Sequence, residues 1–141
     1  MSNLKQDFTK ETTIIKHYIK DLSFENLQGI NNQNFHKDDV KLFDNISAIF
    51  QNYNENDFSI LLKYNCDCTL EKNNQKVFVL EIDYFGLFNI NKKEDYTQDI
   101  LTQSGVALLY PILKHVVEYI TKNGAPFSIS LNDLDFNLIK N

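Results

Sequence analysis

The sequence predicts an α+β domain: a four-stranded antiparallel sheet with one long helix and a short C-terminal helix segregated onto one face. Three observations lead there. Two runs of strictly alternating apolar residues flank a polar turn, two less regular extended runs precede them, and after Ile90 the apolar period lengthens from two to between three and four.

The elements follow in chain order. The first ten residues are polar and are expected to fray, so residues 1–11 are assigned as disordered ahead of a single domain spanning 1–141. Thr12 to Glu25 reads as a strand in which both phases carry apolar groups, a mark of an edge strand or a bulge. Asp21, Ser23 and Glu25 share one of its faces. The Asn- and Gln-rich segment from Asn26 to Asp38 is a loop. Val40 to Phe50 is a second strand, with Val40, Leu42, Ile46, Ala48 and Phe50 on one side.

The central hairpin is the clearest feature. Phe58, Ile60, Leu62, Tyr64, Cys66, Cys68 and Leu70 alternate in one run; Phe78, Leu80, Ile82, Tyr84, Gly86, Phe88 and Ile90 alternate in the next. Each run spans roughly 40 Å, more than twice a usual strand. The turn between them is Glu71-Lys72-Asn73-Asn74-Gln75-Lys76. The other face of the second run holds Val77, Val79, Glu81, Asp83, Phe85 and Leu87. Carboxylates set among apolar groups suit a docking surface, since a partner can bury the apolar atoms while the charges select its sign; a sheet covered on both sides would read the same way.

Helical spacing runs from Thr97 to Lys122, with Leu101, Gly105, Leu108, Ile112, Val116 and Tyr119 as the stripe that packs on the sheet or a sister helix. Gly105 would admit a second backbone, and Pro111 is expected to kink the helix. Asn123-Gly124-Ala125-Pro126 stops it. Ser128 to Leu131 is extended, and Asp133 caps a short helix over Leu134 to Lys140.

Composition narrows the function. All 14 basic residues are Lys, and the net charge is −5. Without Arg, bidentate recognition of phosphate or guanine is disfavoured, and the acidic balance argues against nucleic-acid binding. Neither an export signal nor a stretch of ~20 apolar residues is present, so no membrane insertion is expected. Cys66 and Cys68 sit about 7 Å apart on one strand face, too far for an unstrained disulfide. They read as core thiols of a cytoplasmic protein. His115 and Glu118 could touch on the helix, but no nucleophile motif or phosphate loop accompanies them, and a non-enzymatic role is expected. Asp21, Glu25, Glu81 and Asp83 would gather on one flat surface if their strands are neighbours, favouring a cationic partner.

Against these residues a resemblance stands out. Tyr18-x-Lys20-Asp21-Leu22-Ser23-Phe24-Glu25 resembles the opening strand of SecB, the tetrameric protein-export chaperone. The similarity continues through Val40-Lys41-Leu42, Phe78-x-x-Glu81-Ile82-x-Tyr84-x-Gly86-x-Phe88-x-Ile90, Leu109-Tyr110-Pro111 and Gly124-x-Pro126, and closes at Leu131 and Phe136. It covers Ile14 to the C-terminus in order. The resemblance implies an ATP-independent holdase without cofactors. It would bind unfolded precursor proteins and deliver them to the translocase motor SecA as a homotetramer, a dimer of dimers packed through the long helices.

Carried over residue by residue, it implies a SecA-binding face of Asp21, Glu25, Val79 and Glu81, the zinc belonging to the partner. It implies client-binding residues Val40, Leu42, Phe78 and Phe136, and oligomer contacts at Ile82, Tyr84, Gly105, Leu108 and Ile112. In two respects the chain departs from the family pattern. It ends at Asn141 where many relatives extend into an acidic tail, and Tyr84-Phe85 precede Gly86 where relatives often have small or polar residues. A regulatory alternative is a solitary SecB-like chaperone guarding the antitoxin of a toxin–antitoxin pair.

Overall fold

A computed structural model of the chain describes residues 11–27, 36–125 and 127–131. Four strands, β1 (Thr12–Asn26), β2 (Val40–Asn52), β3 (Asp57–Leu70) and β4 (Lys76–Ile90), precede one long helix, α1 (Gln98–Gly124). Single 3-10 turns lie at Lys37–Asp39 and Lys93–Asp95. The sheet is antiparallel with order β1-β4-β3-β2, so β1 and β2 form its two edges. This is the α+β architecture that the sequence predicts; the expected helix from Leu134 to Lys140 lies outside the described residues.

The hairpin is held in register by its turn. Leu70 N–H donates to the Gln75 carbonyl at 2.8 Å, Asn74 N–H donates to the Leu70 carbonyl at 2.9 Å, and Asn74 takes a φ of 59°. Asn tolerates that left-handed conformation better than most residues do. From there the even-numbered residues of both strands face α1: Phe58 is paired with Phe88, Ile60 with Gly86, Leu62 with Tyr84 and Tyr64 with Ile82. All are buried. Phe50, Phe58 and Phe88 stack in a row, with centroids 5.6 and 5.3 Å apart.

The irregular first strand is explained by two bulges, at the register shifts between Ile14 and Lys16 and between Ile19 and Asp21. Each extra residue reverses the phase, so Ile14, His17, Ile19, Leu22 and Phe24 all come to the helix side. His17 Nδ1 lies 2.6 Å from the Tyr84 hydroxyl, a structural tie across β1 and β4.

Thr97 caps α1 by accepting from Ile100 N–H at 3.3 Å, and the helix runs unbroken through Pro111, which lies on its exposed side. Its buried stripe is Leu101, Gly105, Leu109, Leu113, Val117 and Thr121. The expected stripe is therefore rotated: Leu108, Ile112 and Val116 are only half-buried, and Tyr119 is 65% exposed. The rotation follows from two glycine seats. A Cβ on Gly105 would lie 2.6 Å from Ile60 Cγ1, and one on Gly86 would lie 2.8 Å from Leu109 Cδ2. Ile60 thus fills the space over Gly105, and Leu109 fills the space over Gly86. The close approach at Gly105 is to this chain's own sheet.

By length and composition α1 could cross a membrane, contrary to the expectation that no such stretch exists. It contacts all four strands and buries one face on them, as a core helix does. After the helix, Thr121 Oγ1 donates to the Val117 carbonyl and accepts from Ile129 N–H, both at 2.8 Å. That pins the segment carrying the buried Ile129 and Leu131, which is irregular rather than a strand.

Candidate functional site: the outer sheet face

The face turned away from α1 is built by register. Between β1 and β4, Asp21 stands opposite Asp83, Ser23 opposite Glu81 and Glu25 opposite Val79. From β3, Lys63 pairs with Asp83, Asn65 with Glu81 and Asp67 with Val79. The four carboxylates predicted to gather therefore lie in two neighbouring strands on one surface, with Asp67 at its margin. Both bulges in β1 precede Asp21, and the second sets the phase that brings Asp21 and Glu25 outward.

Facing carboxylates repel when directly opposite. Lys63 relieves that strain, with its Nζ 3.4 Å from Asp83 Oδ2. Lys76 reaches Asp67 at 3.8 Å. Asp21, Glu25 and Glu81 are exposed, and among the described residues none of them makes an ion pair or side-chain hydrogen bond. Val79 is half-buried between Glu25 and Asp67. The result is a negative patch with an apolar floor, able to hold a cation-bearing segment.

One row nearer the end of the sheet, the same face is apolar. Tyr18 lies opposite Phe85, Phe85 opposite Leu61 and Leu61 opposite Ile49, one residue from each strand. The Tyr18 and Phe85 rings are 5.0 Å apart. The alternation in β4 singles out Phe85, but Tyr18, Leu61 and Ile49 join it only through cross-strand register, which no single strand reveals.

The candidate client residues are distributed unevenly. Val40 is half-buried and Leu42 is 40% exposed, both on the helix side of edge strand β2. Phe78 is fully buried, with rings of Phe24 and Phe127 at 5.6 and 6.4 Å, so it belongs to the core and presents no surface to a client. Phe136 lies outside the described residues. Of the expected oligomer contacts, Ile82 is fully buried, Tyr84 is 5% exposed and Gly105 is sealed by Ile60. Ile82 and Tyr84 pack within the protomer because they lie on the sheet face that α1 covers, and Gly105 because it lies on the side of α1 turned to that face. Leu108 and Ile112 remain half-exposed on the flank of α1.

Several other titratable groups are buried or bonded within the chain. Cys66 and Cys68 are free and buried. Burial pushes their thiols up to about 11 and about 12. Tyr64 is shifted upward by burial, then by nearby Cys66 and Asp44, and its hydroxyl donates to Asp44 Oδ2 at 3.1 Å. His115 is exposed, while Glu118 accepts from Ser130 Oγ at 3.2 Å.

Comparison with known proteins identifies the family and the fold. The family model described as Preprotein translocase subunit SecB matches residues 5–139. The protein-export protein SecB of Ruegeria sp. (strain TM1040) is 28% identical over 89% of this chain and 77% of its own length. That of Orientia tsutsugamushi (strain Boryong) is 30% identical over 84% of this chain and 74% of its own. Among solved structures, the Mycobacterium tuberculosis Rv1957 SecB-like chaperone, in complex with a ChAD peptide from the Rv1956 HigA1 antitoxin, superposes with a TM-score of 0.70. That superposition covers 94% of this chain and 97% of the other at 11% identity, a likeness of fold. SecB is a family of chaperones rather than of enzymes, and this chain belongs to it, with a role in protein export.

Proposed function

We propose that this chain is an ATP-independent holdase of the cytoplasm that keeps precursor proteins unfolded and delivers them to SecA, working as a homotetramer of single SecB-like domains spanning 1–141. The observation that carries the reading is the outer face: Asp21, Glu25 and Glu81 stand exposed around Val79 without described ion-pair partners. A surface that keeps carboxylates unneutralised is suited to a cationic partner, here the C-terminal tail of SecA. On the opposite side, Val40 and Leu42 at the rim of β2 offer apolar surface to an extended client, and weak contacts along such a path sum to useful avidity. The half-buried Leu108 and Ile112, with exposed Tyr119, give α1 an apolar flank for a sister helix.

The test is calorimetric titration of the protein with its cognate SecA, with and without the SecA tail. Tail-dependent binding that Glu81→Lys weakens is the expected result. Binding that ignores both changes would refute the assignment of this face. The antitoxin-guarding alternative rests on a likeness of fold alone and has no observation in its favour here.

A further inference from the structure

At the hairpin end of the sheet, three side chains stand together that the acidic patch does not use. Thr69 in β3 is 9% exposed, and its hydroxyl is sealed from solvent with no hydrogen-bond partner among the described residues. Buried polar groups are seldom left unpaired, and one that is asks for a reason. Register sets a lysine on either side of it: Thr69 stands opposite Lys41 in β2 and opposite Lys76 in β4. Lys76 reaches this face only through the register shift between Cys68 and Thr69. In unbroken alternation it would follow Phe78 and Leu80 towards α1, but the extra residue, Val77, reverses the phase. Lys41 is half-buried and forms no ion pair among the described residues.

We propose that Lys41, Thr69 and Lys76 form a binding site for a small tetrahedral oxyanion, inorganic phosphate or a phosphate monoester. The two lysine backbones stand about 10 Å apart, one strand spacing to each side of Thr69. Their flexible stems can bring both ammonium groups over the hydroxyl, so that three strands each supply a donor. Donors converging from the floor and from two sides match three oxygens of a tetrahedral anion, whereas a planar carboxylate would leave one donor unused. Lysine acts here as a point charge, so the forked geometry of Arg is not required. The bridge from Lys76 to Asp67 is loose, at 3.8 Å with side chains 55% and 47% exposed. An anion with a charge of about −2 can compete for that ammonium. Asp67 is then an internal rival of the ligand, and it tempers the affinity of the site.

The full chain is titrated by calorimetry with sodium phosphate and with O-phosphoserine, against chloride at matched ionic strength. Saturable binding is expected, and the tighter probe names the source of the anion. Lys41→Gln and Thr69→Val should each weaken it about tenfold, whereas Asp67→Asn should tighten it by releasing Lys76. Thr69→Val carries a second signature. Removing an unpaired hydroxyl should raise the melting temperature in chloride, while the further rise that phosphate gives the parent is lost. A merely structural hydroxyl would do the reverse, lowering the melting temperature in chloride and leaving the phosphate response intact, which overturns the site. Heats with phosphate no larger than with chloride, or an affinity that Lys41→Gln leaves unchanged, overturn it as well. If Thr69→Val fails to fold, Lys41→Gln and Asp67→Asn, both outside the core, decide the matter. Opposite changes in affinity support the site, and parallel or absent changes overturn it.

Discussion

Gly105→Ala is the substitution in which helix propensity and packing point in opposite directions. In an isolated helix the change stabilises by about 1 kcal/mol, because alanine loses less backbone entropy. Here the added methyl would stand 2.6 Å from Ile60 Cγ1 and 3.1 Å from Phe88 Cε2, well inside the 3.4 Å at which ordinary contact begins. Ile60 and Phe88 are both fully buried and cannot swing into solvent. Either α1 lifts from the sheet or Ile60 leaves its rotamer, and overpacking of this kind costs about 1–3 kcal/mol. The net expectation is a loss of up to about 2 kcal/mol. It would be read by urea unfolding at fixed protein concentration, since assembly and stability are linked. Ile60→Ala alone should cost about 2–5 kcal/mol by opening a cavity. In the Gly105→Ala background it should cost less, with a coupling of about 0.5–3 kcal/mol. A variant stabilised by the full propensity gain would refute the clash. A variant with an unchanged urea midpoint but altered mass in light scattering would return Gly105 to contact between copies.

Other expectations rest on single interactions. Thr121→Val removes the acceptor for the buried Ile129 N–H and should cost about 1–3 kcal/mol in the same unfolding assay. Thr97→Ala removes the cap on Ile100 N–H and should cost about 1 kcal/mol. The thiols make stability fall in alkali. Unfolded cysteines ionise near ~8.5, whereas buried Cys66 and Cys68 hold their protons up to about 11 and about 12. Their contribution is full below pH ~8.5 and is lost as pH rises towards the folded values, at up to about 1.4 kcal/mol per unit for each thiol. The double Cys→Ala variant should show a shallower decline from pH 9 to 11 than the parent. Lys63→Gln should free Asp83 and raise affinity for a basic peptide by up to about fivefold at low salt. Equal affinity of parent and variant would show that Lys63 does not temper the patch.

Local periodicity made most of the secondary structure legible. Strands β3 and β4 alternate without interruption because both carry one face against α1, and the shift of period after Ile90 marks the helix. The cap at Thr97 and the stop at Gly124 bound it to within two residues. The acidic face was legible in outline, because Asp21 with Glu25 and Glu81 with Asp83 each share a strand face at an even spacing. The direction of α1 was not. Leu108, Ile112 and Val116 look as apolar as Leu109, Leu113 and Val117, and only the seats of Ile60 over Gly105 and Leu109 over Gly86 choose between the two stripes. For the same reason, Ile82 and Phe78 cannot be told apart from surface-lining residues by sequence: apolar character does not say what covers a side chain.

The amino-acid sequence by itself determined the four strands, the long helix, the family and the sign of the outer face, because each follows from local spacing, residue order or charge. Tertiary structure alone decided that β1 and β4 are neighbours, that two bulges turn Asp21 and Glu25 towards Glu81, and that Tyr18, Phe85, Leu61 and Ile49 meet in one band. Those are matters of register, and register is set by turns, bulges and the burial of the opposite face, which act between strands rather than along them.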